Sequence, residues 1–497
     1  MQNGTLLAAI DLGSNSFRLE IGRFEQGQIH RVEYLKETVR LGSGLDEARN
    51  LSEAAMQKGW DCLARFAERL AGFGKSQVRA VATQTLREAR NRDLFLVRGS
   101  EVLGFPIDVI PGREEGRLIY QGVAHLLPQS DEERLVVDIG GRSTELILGR
   151  QFDARVVESY RVGSVSWSLR YFPQGEFTAR AFDDAEVAAK AVLEGAVNAY
   201  APSHWRVAYG ASGTIGAVRD ALAAQGRGTS ITRDGLDWLH QHLLAARSAD
   251  RLRMEGLKED RRAVIGGGVS VLRAVFDLLD VAEMHAAEGA LRHGVLYDLV
   301  EREQGDTDVR SATVLRLAAK FGVETAQAQR VGRVALHLLQ QLRADEGQST
   351  DLVRLERKLG WAAQLHEIGS RISHSDYHKH GAYILDHADA PGFAQPELHR
   401  LSQLVLGQRG KLRKLEVDFE DLWFVRQLMC LRLAVILCHA RRDPDLGGFQ
   451  LRGPGHTITV GLRNDWAATY PQSMHLLREE ALAWQKTPWT LTLLPAA

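Results

Sequence analysis

The chain has 497 residues, 44% apolar and 25% charged, the make-up of a globular protein too long for a single core. Lys and Arg number 62 against 63 Asp and Glu, a formal charge of −1, so no global basic excess marks a nucleic-acid binder and no nucleic-acid partner is expected. Three cysteines, Cys62, Cys430 and Cys438, form no CxxC pair and read as reduced thiols of a cytoplasmic protein.

At the N-terminus, MQNGTLLAAIDLG carries no basic segment and its apolar run stops at Asp11, so no signal peptide is expected. The stretch AAIDLGSNSFRLEIGR, residues 8–23, reads as strand, glycine turn, strand, and IHRVEYL as a third strand. Ser52 is placed to cap a helix running to Gly74. VRAVATQT and FPIDVI follow as strands, and PGREEGRLIYQGV opens a helix with Glu114 and Glu115 in its first turn. LVVDIGGRSTELILGR, residues 135–150, then repeats residues 8–23 without gaps at an offset of 127, setting Asp11 on Asp138, Gly13 on Gly140 and Ser16 on Ser143. A third strand, RVVESYRV, and a helix, DDAEVAAKAVLEGAVNAY, follow this copy too. WRVAYGASGT reads as a strand before the helix IGAVRDALAA, and RAVIGGGVS as a further strand.

From about Asp306 the pattern turns helical, through VRSATVLRLAAKFGVETAQAQRVGRVALHLLQQL to FVRQLMCLRLAVILCHARR. LMCLRLAVILCHA is interrupted by Arg432 and is too short to span a bilayer, so no integral membrane segment is expected and peripheral association stays open. The tail reads as strand, helix, strand. The fold class is therefore α/β: two duplicated domains around a cleft, at 1–124 and 125–303, then a helical domain at 304–445 and a small α+β subdomain at 446–497.

A strand ending in D-x-G-[SG]-x-S exposes successive backbone N–H groups which, with a serine hydroxyl, make a phosphate nest. Ser14, Asn15 and Ser16 form one such turn, and Gly140, Gly141, Arg142 and Ser143 the other. Ser212, Gly213 and Thr214 offer a third cradle at a helix start. Asp138 ends its strand, Glu145 lies just past the turn, and Asp11 faces them from the first copy. Acids beside phosphate nests call for a bridging cation, and Mg²⁺ takes one or two carboxylates plus phosphate oxygens. The bland alternatives are a turn cap for Asp138, a solvated strand position for Glu145 and helix-dipole complementation for Glu114 and Glu115.

AAIDLGSNSFRL, VATQTLREARN, IPGREEGRLIYQGV, LVVDIGGRSTELILG, YGASGTIGA and EGALRHGVLYDL, in this order, resemble the exopolyphosphatase/guanosine pentaphosphate phosphohydrolase family, a branch of the actin-like superfamily. The resemblance continues through WAAQLHEIGSRISHSDYHKHGAYIL. It implies two ribonuclease-H-like domains followed by an HD-like helical domain, and hydrolysis of a terminal phosphate. It implies that Glu115 orients or deprotonates the attacking water, and that Asp138 and Glu145 bind metal. It also implies phosphate contacts at Asn15, Ser16, Arg87, Gly141, Ser143 and the Gly213 turn, and a homodimer. HSDYHKHGAYILDHADAPGF is closer to the exopolyphosphatase branch, so inorganic polyphosphate is the expected substrate and guanosine pentaphosphate the alternative. Arg371, Lys379, Arg409 and Lys411 are candidates to line a polyphosphate channel.

Two departures stand out. Arg142 replaces a small residue of the turn, where it either forks onto a phosphate, turns to solvent or blocks the nest. Gly116 replaces an alanine after the two acids. In the helical part the pair is His366-Glu367, and Val435 stands where an HD protein places its last acid, so no HD-type metal site is expected. An ATP-dependent kinase, with AVIGGGVS as its adenosine turn, and a non-catalytic sensor are the remaining readings.

Overall fold

The computed structural model describes residues 1–128, 130–303, 308–342, 350–453 and 455–495. The chain divides into two compact units, Met1–Asp308 and Val309–Ala497.

In the first unit, β1 (Leu6–Leu12), β2 (Phe17–Glu25) and β3 (Gln28–Glu37) form an antiparallel meander. On the other side of β1, β4 (Val78–Ala82) and β5 (Ile107–Val109) add in parallel, giving the order β3-β2-β1-β4-β5. A second sheet is built from β6 (Glu133–Ile139), β7 (Thr144–Arg150), β8 (Asp153–Tyr160), β9 (Val207–Ala211), β10 (Ser230–Thr232) and β11 (Glu283–Ala286). Its order, β8-β7-β6-β9-β11-β10, repeats the first and adds one antiparallel edge strand. The two copies legible at residues 8–23 and 135–150 are thus two sheets of one plan. Their central strands are buried on both faces, which is why LLAAID and LVVD within them read as continuous apolar runs ending in an acid.

Ser52 accepts a bond from the Ala55 N–H, 3.3 Å, and starts the helix Glu53–Arg69. The helix stops short of Gly74 because the chain turns at Gly72, whose φ of +90° only glycine adopts easily. RAVIGGGVS is not a strand. Ile265–Leu278 is a helix whose three glycines let it lie close against the helix Ser164–Tyr171. A methyl group on Gly267 would strike the Ser164 carbonyl and the Ser168 N–H, and one on Gly268 the Thr214 side chain. Glycine here serves helix packing and overrides its poor helix propensity, and the kinase reading loses its adenosine turn.

The second unit is helical around Leu338, Leu359, Leu385, Leu428 and Met429. It carries a three-stranded sheet of β12 (Phe449–Arg452), β13 (Thr457–Leu462) and β14 (Thr490–Pro495). The helix Pro471–Trp484 connects the parallel pair β13 and β14, and Trp466, Trp484 and Trp489 are buried there. Among the described residues no helix is long and apolar enough to cross a membrane.

Candidate active site

The ends of β1 and β6 face one cleft of about 390 Å³ within the first unit. All three glycine turns reach its wall, residues 14–16, 140–143 and 212–214, together with Asp11, Glu115 and Asp138. Arg87 and Glu145 stand one layer behind that wall: Arg87 bonds Glu115, and Glu145 is cross-strand partner of Asp138.

Strand register sets the acids. Asp11 lies opposite Arg18 across β1 and β2, and Asp138 opposite Glu145 across β6 and β7. In the first copy the pair neutralises itself, Arg18 Nη1 to Asp11 Oδ2 at 3.0 Å. In the second, at the equivalent position, two carboxylates meet. Asp11, expected as a metal ligand, pairs with Arg18, and among the described residues no three metal-ligating side chains come together.

The helix Gly112–Leu126 carries Glu114 and Glu115 in its first turn, about 100° apart around its axis. Glu114 is gripped by Arg117 through two bonds of 2.8 Å, in a buried knot with Asp298, Arg79 and Arg302. Glu115 points to the cleft, where Arg87 Nη1 donates to its Oε2 at 2.7 Å. Arg87 also donates to the Ile110 carbonyl and twice to Gln84 Oε1. Both acids lie in the first turn, where either complements the helix dipole; Glu115 alone of the two also lines the cleft. Gly116, the other departure, lies against Val157, and a side chain there would collide with it.

Burial raises the Glu115 carboxyl above its ordinary value, Arg87 opposes this, and the Asp11 charge adds to it. Asp138 is pushed up to about 7, by burial first and then by Glu115, with Arg18 opposing. Glu145 is held well above the carboxylate range by burial and by the Glu115 and Asp138 charges, although the Ser159 hydroxyl donates to it at 2.7 Å. Among the described residues neither Asp138 nor Glu145 forms an ion pair. This is a buried donor set short of positive charge, which suits a hard divalent cation.

At the turns, the Thr85 hydroxyl donates to Ser14 Oγ at 2.8 Å. The Ser212 and Thr214 hydroxyls both donate to the Ile139 carbonyl, at 2.8 and 3.0 Å, so this cradle offers a ligand backbone N–H groups at the start of the helix Ser212–Ala224. Ser212 sits at φ +80°, a strained position for a non-glycine residue. Arg142 neither reaches into the nest nor turns to solvent. Its Nη2 and Nε donate to Glu88 Oε2 at 3.0 and 3.3 Å, and its Nη1 to the Gly42 carbonyl at 3.2 Å. Its φ is not positive, so the turn carries no left-handed strain there.

Sequence reasoning missed the basic wall of the cleft, where Arg18, Lys36, Lys258, Arg261 and Arg292 lie. The Arg261 guanidinium covers Gly213, a packing that no spacing announces. In the second unit, His366 is buried and bonds the Ala363 carbonyl, and Glu367 pairs with Arg441. Within the stretch HSDYHKH, residues 374–380, Tyr377 and His378 are buried. Arg409 lies over the Tyr377 ring, Lys379 pairs with Asp376 and Arg371 packs on Gly322.

The Ppx/GppA phosphatase family matches residues 21–303, and Ppx/GppA phosphatase domain III matches residues 309–481. A protein of Photobacterium profundum named guanosine-5'-triphosphate,3'-diphosphate pyrophosphatase is 39% identical over 490 residues, 98% of each chain. A protein of the same name from Vibrio atlanticus is 38% identical over 491 residues, again 98% of each chain. Among solved structures, the Aquifex aeolicus family member is 26% identical with a TM-score of 0.51, covering 60% of this chain and 99% of that one. An exopolyphosphatase from Cytophaga hutchinsonii, 23% identical with a TM-score of 0.54 and covering 60% of this chain and 98% of its own, shares the fold. The full-length relatives overturn the expectation of inorganic polyphosphate as substrate. Both substrates present a terminal phosphoanhydride to such a cleft, so the motifs that carry the chemistry do not separate them.

Proposed function

This chain belongs to the Ppx/GppA phosphatase family and is a phosphoanhydride hydrolase; from that premise we propose that it removes the terminal 5'-phosphate of guanosine pentaphosphate. The substrate rests on the curated relatives, which match this chain end to end. The reaction rests on one observation of the site: the buried carboxylate of Glu115 faces the cleft, held by Arg87 at 2.7 Å and bordered by three backbone nests.

Water attacks the terminal phosphorus as the bond to the bridging oxygen breaks. Orthophosphate leaves, and the nucleotide keeps a 5'-diphosphate and its 3'-diphosphate. Glu115 orients the water and takes its proton. Burial keeps the carboxylate basic, and Arg87 keeps it from being protonated beforehand. The N–H groups at Ser14–Ser16, Gly141–Ser143 and Ser212–Thr214 hold the phosphate oxygens. Asp138 and Glu145 would hold Mg²⁺, which when bound supplies charge neutralisation on the transferred phosphoryl group. The basic wall of Arg18, Lys36, Lys258 and Arg261 suits a substrate charged at both ends.

Phosphate release from guanosine pentaphosphate and from long-chain polyphosphate, compared as kcat/KM, tests the substrate. A preference for the nucleotide of about 100-fold or more is expected; equal or better turnover of polyphosphate overturns the assignment. Glu115→Gln is expected to lower kcat by about 10³-fold, and an active Glu115→Gln enzyme overturns the mechanism.

A further inference from the structure

We propose that Arg142 is a positioning residue that acts on Glu115 from the opposite side of the cleft, through Glu88, Gln84 and Arg87. This inference rests on the assignment of Glu115 as the group that activates water.

Arg142 stands on the β6–β7 turn, where the first copy has Asn15. A short amide there ends near its own turn: Asn15 bonds Ser16. The arginine spans to the other half of the first unit and places all three guanidinium nitrogens there, two on Glu88 and one on the Gly42 carbonyl. Gly42 carries no side chain that would hinder this, and a methyl group there would lie 3.2 Å from Arg142 Cδ.

Glu88 closes the helix Gln84–Glu88, which also carries Arg87. Its second oxygen, Oε1, accepts from Gln84 Nε2 at 2.7 Å. This fixes the amide so that Gln84 Oε1 faces Arg87 and accepts two bonds, at 2.7 and 3.1 Å. Arg87 then has Nη1 left for Ile110 and Glu115. One unbroken polar chain therefore runs from the turn of the second copy to the carboxylate in the cleft. Its logic is electrostatic: Glu88 is a half-buried acid one amide away from Arg87, and Arg142 is the cation that satisfies it. Without Arg142, Glu88 competes with Glu115 for Arg87.

Steady-state kinetics on guanosine pentaphosphate test this. Arg142→Ala is expected to lower kcat about 10- to 50-fold while KM moves less than about threefold, the signature of a group acting on the chemical step. Adding Glu88→Gln removes the orphaned charge and is expected to return kcat to within about fivefold of the parent. Should Arg142→Ala not fold, Arg142→Gln keeps much of the volume and drops the charge, and the same loss and the same recovery with Glu88→Gln are expected. Unchanged kcat, a rise in KM at constant kcat, or no recovery in the double variant each overturn the inference. Glu115→Gln run alongside separates the two claims. If it is inactive while Arg142→Ala is parental, only the positioning role fails; if it is active, the reading of Glu115 fails and the inference with it.

Discussion

Glu114 and Glu115 are adjacent, identical in type and opposite in circumstance. A helical step of about 100° sends one to a knot of arginines and the other to a cleft. The sequence carried the presence of two acids at a helix start, and a family resemblance singled out Glu115; what separates them physically is which arginine the fold delivers to each. Arg142 was legible as an anomaly and no more, because its partner Glu88 lies 54 residues away. Asp138 offers a test at this scale. Its carboxyl sits at about 7 in the folded chain against an ordinary 3.8. It therefore opposes folding increasingly as pH rises from 3.8 through 7, the protonated form being favoured in the folded state. In chelator at pH 8, Asp138→Asn is expected to stabilise the first unit by about 2 kcal/mol while abolishing turnover. Denaturant unfolding measures this, and a destabilised variant counts against the charge crowding described for the cleft.

The element that matters most is the helix Gly112–Leu126, and its position depends on another helix, Leu291–Glu303. The two cross with their backbones nearly touching. A methyl group on Gly294 would overlap the Leu118 carbonyl, and one on Gly122 the Ala290 carbonyl. The segments QGV and RHGV showed these glycines, but nothing in them said that they face each other. Likewise, glycines that look like a strand turn in RAVIGGGVS turned out to permit helix contact, and the four-residue β12 is too short to announce itself by alternation. Strands with longer signals, such as the one after the glycine turn of residues 8–23, were legible. Gly294→Ala should push the Glu115 helix away from its place. The expected cost is about 3 kcal/mol in unfolding free energy, with a fall in kcat larger than any change in KM. Parental stability in that variant would mean the helices give way without strain.

Across the first unit, the helix Leu291–Glu303 follows the last strand of the second sheet yet packs on the first. Glu20 of β2 anchors its start. Arg292 and Arg31 donate to it, and His293 approaches at 3.2 Å. The Ala290 N–H donates to His293 Nδ1, so the neutral ring carries its proton on Nε2, toward Glu20. These partners outweigh burial and hold the Glu20 carboxyl at about 2, below its ordinary 4.5. A depressed carboxyl stabilises the fold fully above pH 4.5 and loses that contribution as pH falls through about 2. Glu20→Gln is expected to lower stability near neutral pH by about 2–3 kcal/mol and to flatten the acid limb between pH 4.5 and 2. Urea unfolding followed against pH reads both, and an unaltered acid limb would remove Glu20 from the account.

The two sheets are laid out alike, but the charge facing Asp11 is positive and the charge facing Asp138 is negative. That single inversion breaks the symmetry of the duplication. Two first halves facing each other would be electrostatically complete and indifferent to a metal. Two second halves would crowd four acids into one space and repel both substrate and each other. Only the unlike pairing leaves one acidic site beside one neutralised one, so the two halves of the repeat are not interchangeable parts.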